Sequence, residues 1–260
     1  MLKLATPISH LFEERIAAQE IIDASDCLEC RERSRDAVWP KQHLFHIDID
    51  IIHYWDETRK EYLEQLIQPK TELKLVSFQL SAACHEPVLD EQGVFQLGGK
   101  IYTREEMEKN AISNIGWLRT ILKEQIQIAV ENNNYYPTPA YQFVTDGDLI
   151  SSVVKNSKIK FLYDIAHAQV TAHNQGISYQ SYLKTLPLED VIQLHICQPG
   201  FRQDGTAFDA HEVPDDSMYQ HVLELVKKYP VKYLTVEYYK NKDKLIDTLN
   251  RFQTLKNHSN

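Results

Sequence analysis

Five apolar, β-branched runs in this chain end on a histidine or a carboxylate: HLFHID (43–48), IAVENNN (128–134), FLYDIAH (161–167), IQLHIC (192–197) and LTVEYY (234–239). Each run reads as a buried strand. Ionisable groups at buried strand ends are costly unless they meet one another or a ligand. The fold must therefore bring five distant strand ends to one place. A barrel of parallel strands does this, because the C-terminal ends of its strands ring one face and active sites sit there.

The rest of the chain fits that expectation. Residues 2–9, 26–30, 42–51, 73–83, 125–134, 158–167, 190–198 and 231–239 read as eight strands. Helical segments are expected between most of them. Residues 10–26 place Leu11, Ile16, Ile21 and Ile22 at roughly helical spacing, and residues 57–68 form the next helix. Thr103 and Glu106 form a capping box that opens a helix to about residue 124. Further helices are expected over 142–154, around Tyr179–Leu183, from Pro214 or Asp215 to about Tyr229, and over 242–255. Residues 84–102 read as a long loop, and a second loop carries Gly200 and Gly205. Eight strands alternating with helices predict a single (β/α)8 TIM barrel, an α/β fold, over residues 1–260.

Composition narrows the chemistry. With 43% hydrophobic residues the chain can bury a sizeable core. A formal charge of −9 and a pI near 5.7 speak against a large nucleic-acid-binding surface. No apolar run approaches the ~20 residues of a membrane span, and the first residues lack the apolar region of a signal peptide. The expected compartment is the cytoplasm, with no membrane partner. Four scattered cysteines do not make a disulfide framework. Cys27 and Cys30 have CxxC spacing, but in a strand their sulfurs point to opposite faces.

At the predicted rim, the candidate metal ligands are Glu131, Asp164, His167, His195, Asp209, His211 and Glu237, with His46 from the third strand. Asp164 and His167 are placed where the sixth strand gives way to a loop, and Asp209 and His211 come from another loop. Imidazole and carboxylate without thiolate suit Fe(II), Zn(II) or Mn(II) without choosing among them. Eight groups exceed what one ion with an open position can use. Two or three ions sharing carboxylates follow, with Glu131 and Glu237 as bridges. His85 is placed beside or instead of His46, and Asn132 and Asn133 are candidates to orient Glu131 or touch substrate. His10, His53, His173 and His221 read as structural histidines.

At these residues the chain resembles the multinuclear non-haem iron-dependent oxidative enzymes, which include methanobactin-biosynthesis oxidases, within the xylose-isomerase-like barrels. Their glutamate followed by asparagine is similar to Glu131-Asn132-Asn133. Their Asp-Val-Asn-Asn leading to Asn-His-Gly resembles Asp164-Ile-Ala-His167 leading to Asn174-Gln175-Gly176. Tyr182-Leu183 and Leu186-Pro187, His195-Ile-Cys-Gln-Pro199, Asp209-Ala-His211-Glu212 and Thr235-Val236-Glu237 resemble later motifs of that family. The likeness starts near residue 40 and is best from 125 to 240. Two departures stand out. Ser77-Phe78-Gln79-Leu80 has glutamine where the family has a metal-binding histidine, and His167 stands where asparagine is usual.

The resemblance implies an iron enzyme, with two or three ions, that oxidatively modifies a peptide substrate, commonly at cysteine, with or without a separate substrate-delivery protein. Asp209 and His211 would handle protons there. Asp164-x-x-His167 is also similar to endonuclease-IV-type phosphodiesterases, which bind three zinc ions. A sugar isomerase or epimerase using Glu131, Asp164, His195 and Glu237 around manganese or magnesium is a third reading. A barrel that has lost a ligand at Gln79 and acts as a binding subunit is a fourth.

Overall fold

The computed structural model describes residues 2–258, with backbone alone for 256–258. Eight parallel strands close into a barrel: β1 (Lys3–Pro7), β2 (Cys27–Cys30), β3 (Gln42–Asp50), β4 (Leu75–Gln79), β5 (Gln127–Glu131), β6 (Lys160–Asp164), β7 (Val191–Ile196) and β8 (Tyr233–Val236). Closure is made by β1, where Ala5 lies opposite both Thr235 of β8 and Cys27 of β2. All eight strands were legible in the sequence, and each is shorter than its apolar run suggested.

The barrel interior has a floor. Ala5, Cys27, Leu44, Leu75, Ala129, Leu162, Ile192 and Tyr233 form one buried apolar cluster to which every strand contributes a residue. Side chains on a strand return to the same face every second residue. Counting up by two from the floor therefore gives the next inward layer: Glu29, His46, Ser77, Glu131, Asp164 and Thr235. Four steps up are Arg31, Asp48, Gln79, Asn133 and Glu237. On β7 the register shifts opposite β6, skipping Ile192, so that Gln193 and His195 both count as inward. The apolar floor supports a polar upper barrel, and the chemistry is confined to the C-terminal end.

The outward-facing residues of the strands pack on helices. The capping box is present, with Glu106 N–H donating to Thr103 Oγ1 at 3.2 Å and Thr103 N–H to Glu106 Oε2 at 2.9 Å; its helix runs Arg104–Ile121. Cys27 joins the floor while Cys30 joins the outer cluster, so the two sulfurs do face opposite ways.

Five expectations need correction. The first helical segment is a 3-10 turn, His10–Phe12, and a helix, Arg15–Ala24, that buries Ala18, Ile21 and Ile22; Ile16 is exposed on its outer face. The helix expected over 142–154 starts later, at Gly147–Ser157. No loop follows β6: Asp164 is itself the N-cap of an eleven-residue helix, Ile165–Gln175. Asp209 and His211 lie on the second strand of a hairpin, Gln198–Phe201 with Ala207–Glu212, and not on a loop. The 84–102 segment also holds a short hairpin, Val88–Leu89 with Phe95–Gln96.

Candidate metal centre

The inward residues of β2–β8 meet above the floor. His195, fully buried on β7, is the hub. Its Nδ1 lies 2.7 Å from Glu131 Oε1, 3.3 Å from Glu237 Oε1 and 4.0 Å from Asp164 Oδ2. Its Nε2 lies 3.0 Å from Glu29 Oε2. Glu131 reaches His46 with its other oxygen, at 3.3 Å from Nε2. Glu237 likewise reaches His211 with its other oxygen, at 3.4 Å. Each of these two carboxylates thus lies between two imidazoles.

A second knot adjoins the first. Asp209 Oδ2 lies 3.4 Å from His167 Nε2 and 3.0 Å from His211 Nε2, and its Oδ1 accepts from Cys197 Sγ at 3.0 Å. His167 is aimed by its helix: Asp164 Oδ1 caps its backbone N–H at 2.7 Å, and its Nδ1 donates to the Asn132 carbonyl at 2.8 Å. That bond leaves Nε2 as the atom facing the site. Asn132 also clamps the Asp164 backbone in both directions at 2.9 Å. It orients Asp164, not Glu131. Asn133 donates to the Ser81 carbonyl at 3.2 Å.

Gln79 sits inside the first knot. Its amide donates to Glu131 Oε2 at 3.1 Å and to His46 Nε2 at 2.8 Å, while His46 Nδ1 meets Ser77 Oγ at 2.9 Å. His85 lies elsewhere. It pairs with the Tyr102 hydroxyl at 2.8 Å and neighbours His53, so the idea that it replaces His46 fails, His46 being in place. His85 lines a cavity of about 250 Å³ with Asp48, Asp50, His53 and Trp55, and Asp48 is 4.0 Å from His46 Nε2, which sets that cavity beside the centre.

Two residues that the chain pattern did not flag complete the arrangement, Glu29 and Arg31 of the second strand and its end. Arg31 pairs with both Glu29 and Glu237. Glu29, Gln193 and Thr235 converge on one another beneath His195, Gln193 donating to Thr235 Oγ1 at 2.8 Å and Thr235 to Glu29 at 3.3 Å. The signal that finds Glu29 is the count of two from Cys27.

The titration of these groups follows from their neighbours. Burial by itself would raise Glu131, but the imidazoles of His46 and His195 outweigh it and hold the carboxyl below its ordinary range. For Asp164 burial wins and pushes it up to about 7. Burial alone would lower His211, yet Asp209 and Glu237 raise it to about 10. His46 is lowered by burial.

Two features suit a cation. The donor set is imidazole and carboxylate, the ligands of first-row divalent metals. Asp164 Oδ2, fully buried, accepts no hydrogen bond among the described residues although it points at His195 and His167. Glu131, Asp164 and His195 offer ligand atoms within 4.8 Å of one another, as do Glu29, His195 and Glu237. The second trio already has a cation, the Arg31 guanidinium, so it is better read as support for His195. A carboxylate on the far nitrogen of a ligating histidine is the usual way to orient it.

A proton-release prediction follows. With its pKa raised to about 10, His211 is protonated at neutral pH in the metal-free protein, and a metal ion must displace that proton. Metal uptake at pH 7 should release at least one proton, and affinity should rise about tenfold per pH unit for each proton released, up to about pH 10. Calorimetry in buffers of different ionisation enthalpy reads the number. A zero count would remove His211 from the ligand set.

Comparison with known proteins bears on the family and the fold. The family described as RiPP precursor modification enzyme MbnB/TglH/ChrH matches residues 52–257. A UPF0276 protein of Paraburkholderia phytofirmans is 27% identical over 103 residues, 40% of this chain and 33% of that protein. Another UPF0276 protein, from Vibrio parahaemolyticus, is 23% identical over 107 residues, 38% of this chain and 37% of that protein. The matched stretch thus spans about a third of each relative. Among solved structures, a 3-keto-D-glucoside 4-epimerase from E. coli superposes with a TM-score of 0.63 at 13% identity, over 98% of this chain and all of that one. The IOLI protein, solved with a zinc atom, gives 0.61 at 14%, over 97% of each chain. A magnesium complex of a xylose isomerase-like TIM barrel protein from Mycobacterium smegmatis gives 0.57 at 12%, over 98% of this chain and 96% of that one. Among the described residues no helix is long and apolar enough to cross a membrane. On the match over residues 52–257, the chain belongs to the MbnB/TglH/ChrH family of RiPP precursor modification enzymes, built on a xylose isomerase-like TIM barrel.

Proposed function

We propose that this protein is an iron enzyme, with two or three ions, that oxidatively modifies a precursor peptide at cysteine. The observation that carries the reading is the placing of Glu131 between His46 and His195 and of Glu237 between His195 and His211. The ligands would be His46, Glu131, Asp164, His167, His195, Asp209, His211 and Glu237. Iron held there would lower the pKa of a substrate thiol and supply the redox chemistry.

The chain's own residues do the rest. His195 is fixed by Glu29 on its far side, so the donor atom cannot swing away. The cavity lined by Asp48, His53, Trp55 and His85 receives the peptide beside His46. Asp209 and His211 are the partly exposed members, with His211 35% open; His211 Nε2 gives up its proton to the ligand bond, and the Asp209 carboxylate oxygen not bound to iron takes the proton from substrate. Gln79 holds Glu131 by its amide and stands in for a weaker or missing ligand.

Protein purified without oxygen should carry two or more irons per chain and, given air and a cysteine-containing precursor peptide, shift that peptide's mass. Metal-free protein under every loading condition would sink the reading. A zinc phosphodiesterase is the second reading, favoured by the 3.4 Å approach of His167 to Asp209. Cleavage of abasic duplex DNA by zinc-loaded protein, abolished by chelator, would put it first; the charge of −9 opposes it.

A further inference from the structure

Cys197 is the site residue that the reading above leaves unused. It follows β7 directly and is fully buried. Its sulfur meets Asp209 Oδ1 at 3.0 Å, while Asp209 Oδ2 meets His211 Nε2 at 3.0 Å. Cys197, Asp209 and His211 each offer a ligand atom within 4.8 Å of the other two. Donors bound to one ion at ~2.0–2.3 Å stand roughly 3–4 Å apart, so small movements would suffice. The proton that now joins sulfur to carboxylate occupies a place where a cation could join them instead.

The hairpin is shaped to hold these groups together. Its first strand begins at Gln198, next to Cys197, and its ladder shifts register between Gln198 and Gly200. A side chain at Gly200 would come within 2.9 Å of Ala210 Cβ and of the Phe208 ring, so glycine lets the two strands close. His211 has φ 45°, a left-handed conformation that residues other than glycine rarely adopt. That conformation belongs to the residue whose Nε2 faces both Asp209 and Glu237.

We propose that Cys197 is a thiolate ligand to an ion held by Asp209 and His211. This position then favours zinc or iron(II) over manganese and magnesium, because thiolate is the softest donor in the barrel. On binding, the sulfur keeps the S–H electron pair for the metal and the proton leaves to solvent. The imidazole-and-carboxylate set read from the sequence lacked this thiolate.

The inference rests on the metal-enzyme reading, and cobalt(II) separates the two. Full-length protein stripped of metal and loaded with cobalt without oxygen should show a near-ultraviolet thiolate-to-cobalt charge-transfer band. Cys197→Ser should lose that band and keep the weaker visible cobalt absorption. Cobalt uptake with no such band in the wild type overturns the thiolate and leaves the metal enzyme standing. No cobalt uptake overturns both. A band that survives Cys197→Ser belongs to another cysteine and overturns the inference. A competition needs no variant: zinc should bleach the wild-type band at about one equivalent, whereas manganese at equal concentration should not. Equal bleaching by manganese overturns the selectivity.

Discussion

Glu131→Ala is expected to abolish metal binding at the first knot, with affinity down by at least about 100-fold and activity lost with it. The bound is set by comparison, since removing a group that merely orients a ligand costs about 10–100-fold, and Glu131 is proposed as a ligand. Its two oxygens lie 2.7 Å from His195 Nδ1 and 3.3 Å from His46 Nε2, and Gln79 donates to it as well. No other carboxylate reaches His46 as closely among the described residues, Asp48 being 4.0 Å away. Glu131→Gln keeps the shape and one oxygen, and should keep the fold while losing most of the metal. Metal counted per chain, beside circular dichroism to establish folding, checks both. Full metal content in folded Glu131→Ala would remove Glu131 from the centre.

The centre was legible in the sequence wherever a long apolar run ended on a chemical group. His46, Glu131, Asp164, His195 and Glu237 all stand on such runs, and the barrel brings them together because every one is an even number of residues above a floor position or, on β7, beyond a register shift. Glu29 escaped because its strand is only four residues, Cys27–Cys30, too short to display alternation. The helix Ile165–Gln175 escaped for a different reason. It buries Ile165, Ala166, His167, Ala168, Val170, Thr171 and Ala172, and because burial runs nearly unbroken along the helix and four of these side chains are small, little hydrophobic periodicity is left to see. The hairpin did leave a signal. Asp204-Gly205 lies between Phe201 and Phe208, Gly205 has φ 87°, and the turn closes with Arg202 N–H donating to the Thr206 carbonyl at 2.9 Å. Asp-Gly between apolar residues is a turn signature, and reading it would have placed Asp209 and His211 on a strand. Gln79 could be located but not interpreted from sequence, because its meaning depends on the 2.8 Å contact with His46.

Arg31→Met is expected to have the largest effect on stability, about 3–5 kcal/mol at pH 7 in the metal-free protein, the usual cost of breaking a buried ion pair from one side. Arg31 pairs with Glu29 and Glu237, and its side chain is only 11% exposed. Burial alone would raise Glu29, but Arg31 and then His195 outweigh it and bring the carboxyl down from 4.5 to about 2. A carboxyl depressed on folding stabilises the native state above its unfolded pKa, and that contribution fades as pH falls through the folded value. The part of the gap between wild type and Arg31→Met that comes from Glu29 should therefore be full at pH 7, begin to close below about pH 4.5, and be largely gone near pH 2. The part from Glu237, whose carboxyl Arg31 holds well below its ordinary range, fades only at lower pH. Urea unfolding across that range measures it. Glu29→Gln added to Arg31→Met removes one of the two stranded carboxylates and should recover more than about 1 kcal/mol, since neighbours in one network couple by that order. Glu237 keeps His195 and His211 as partners, at 3.3 and 3.4 Å, so it tolerates the loss of Arg31 better than Glu29 does. A single variant within about 1 kcal/mol of wild type at pH 7, or a gap that widens on acidification, would mean that Arg31 is a spectator and that the imidazoles of His195 and His211 hold these carboxylates.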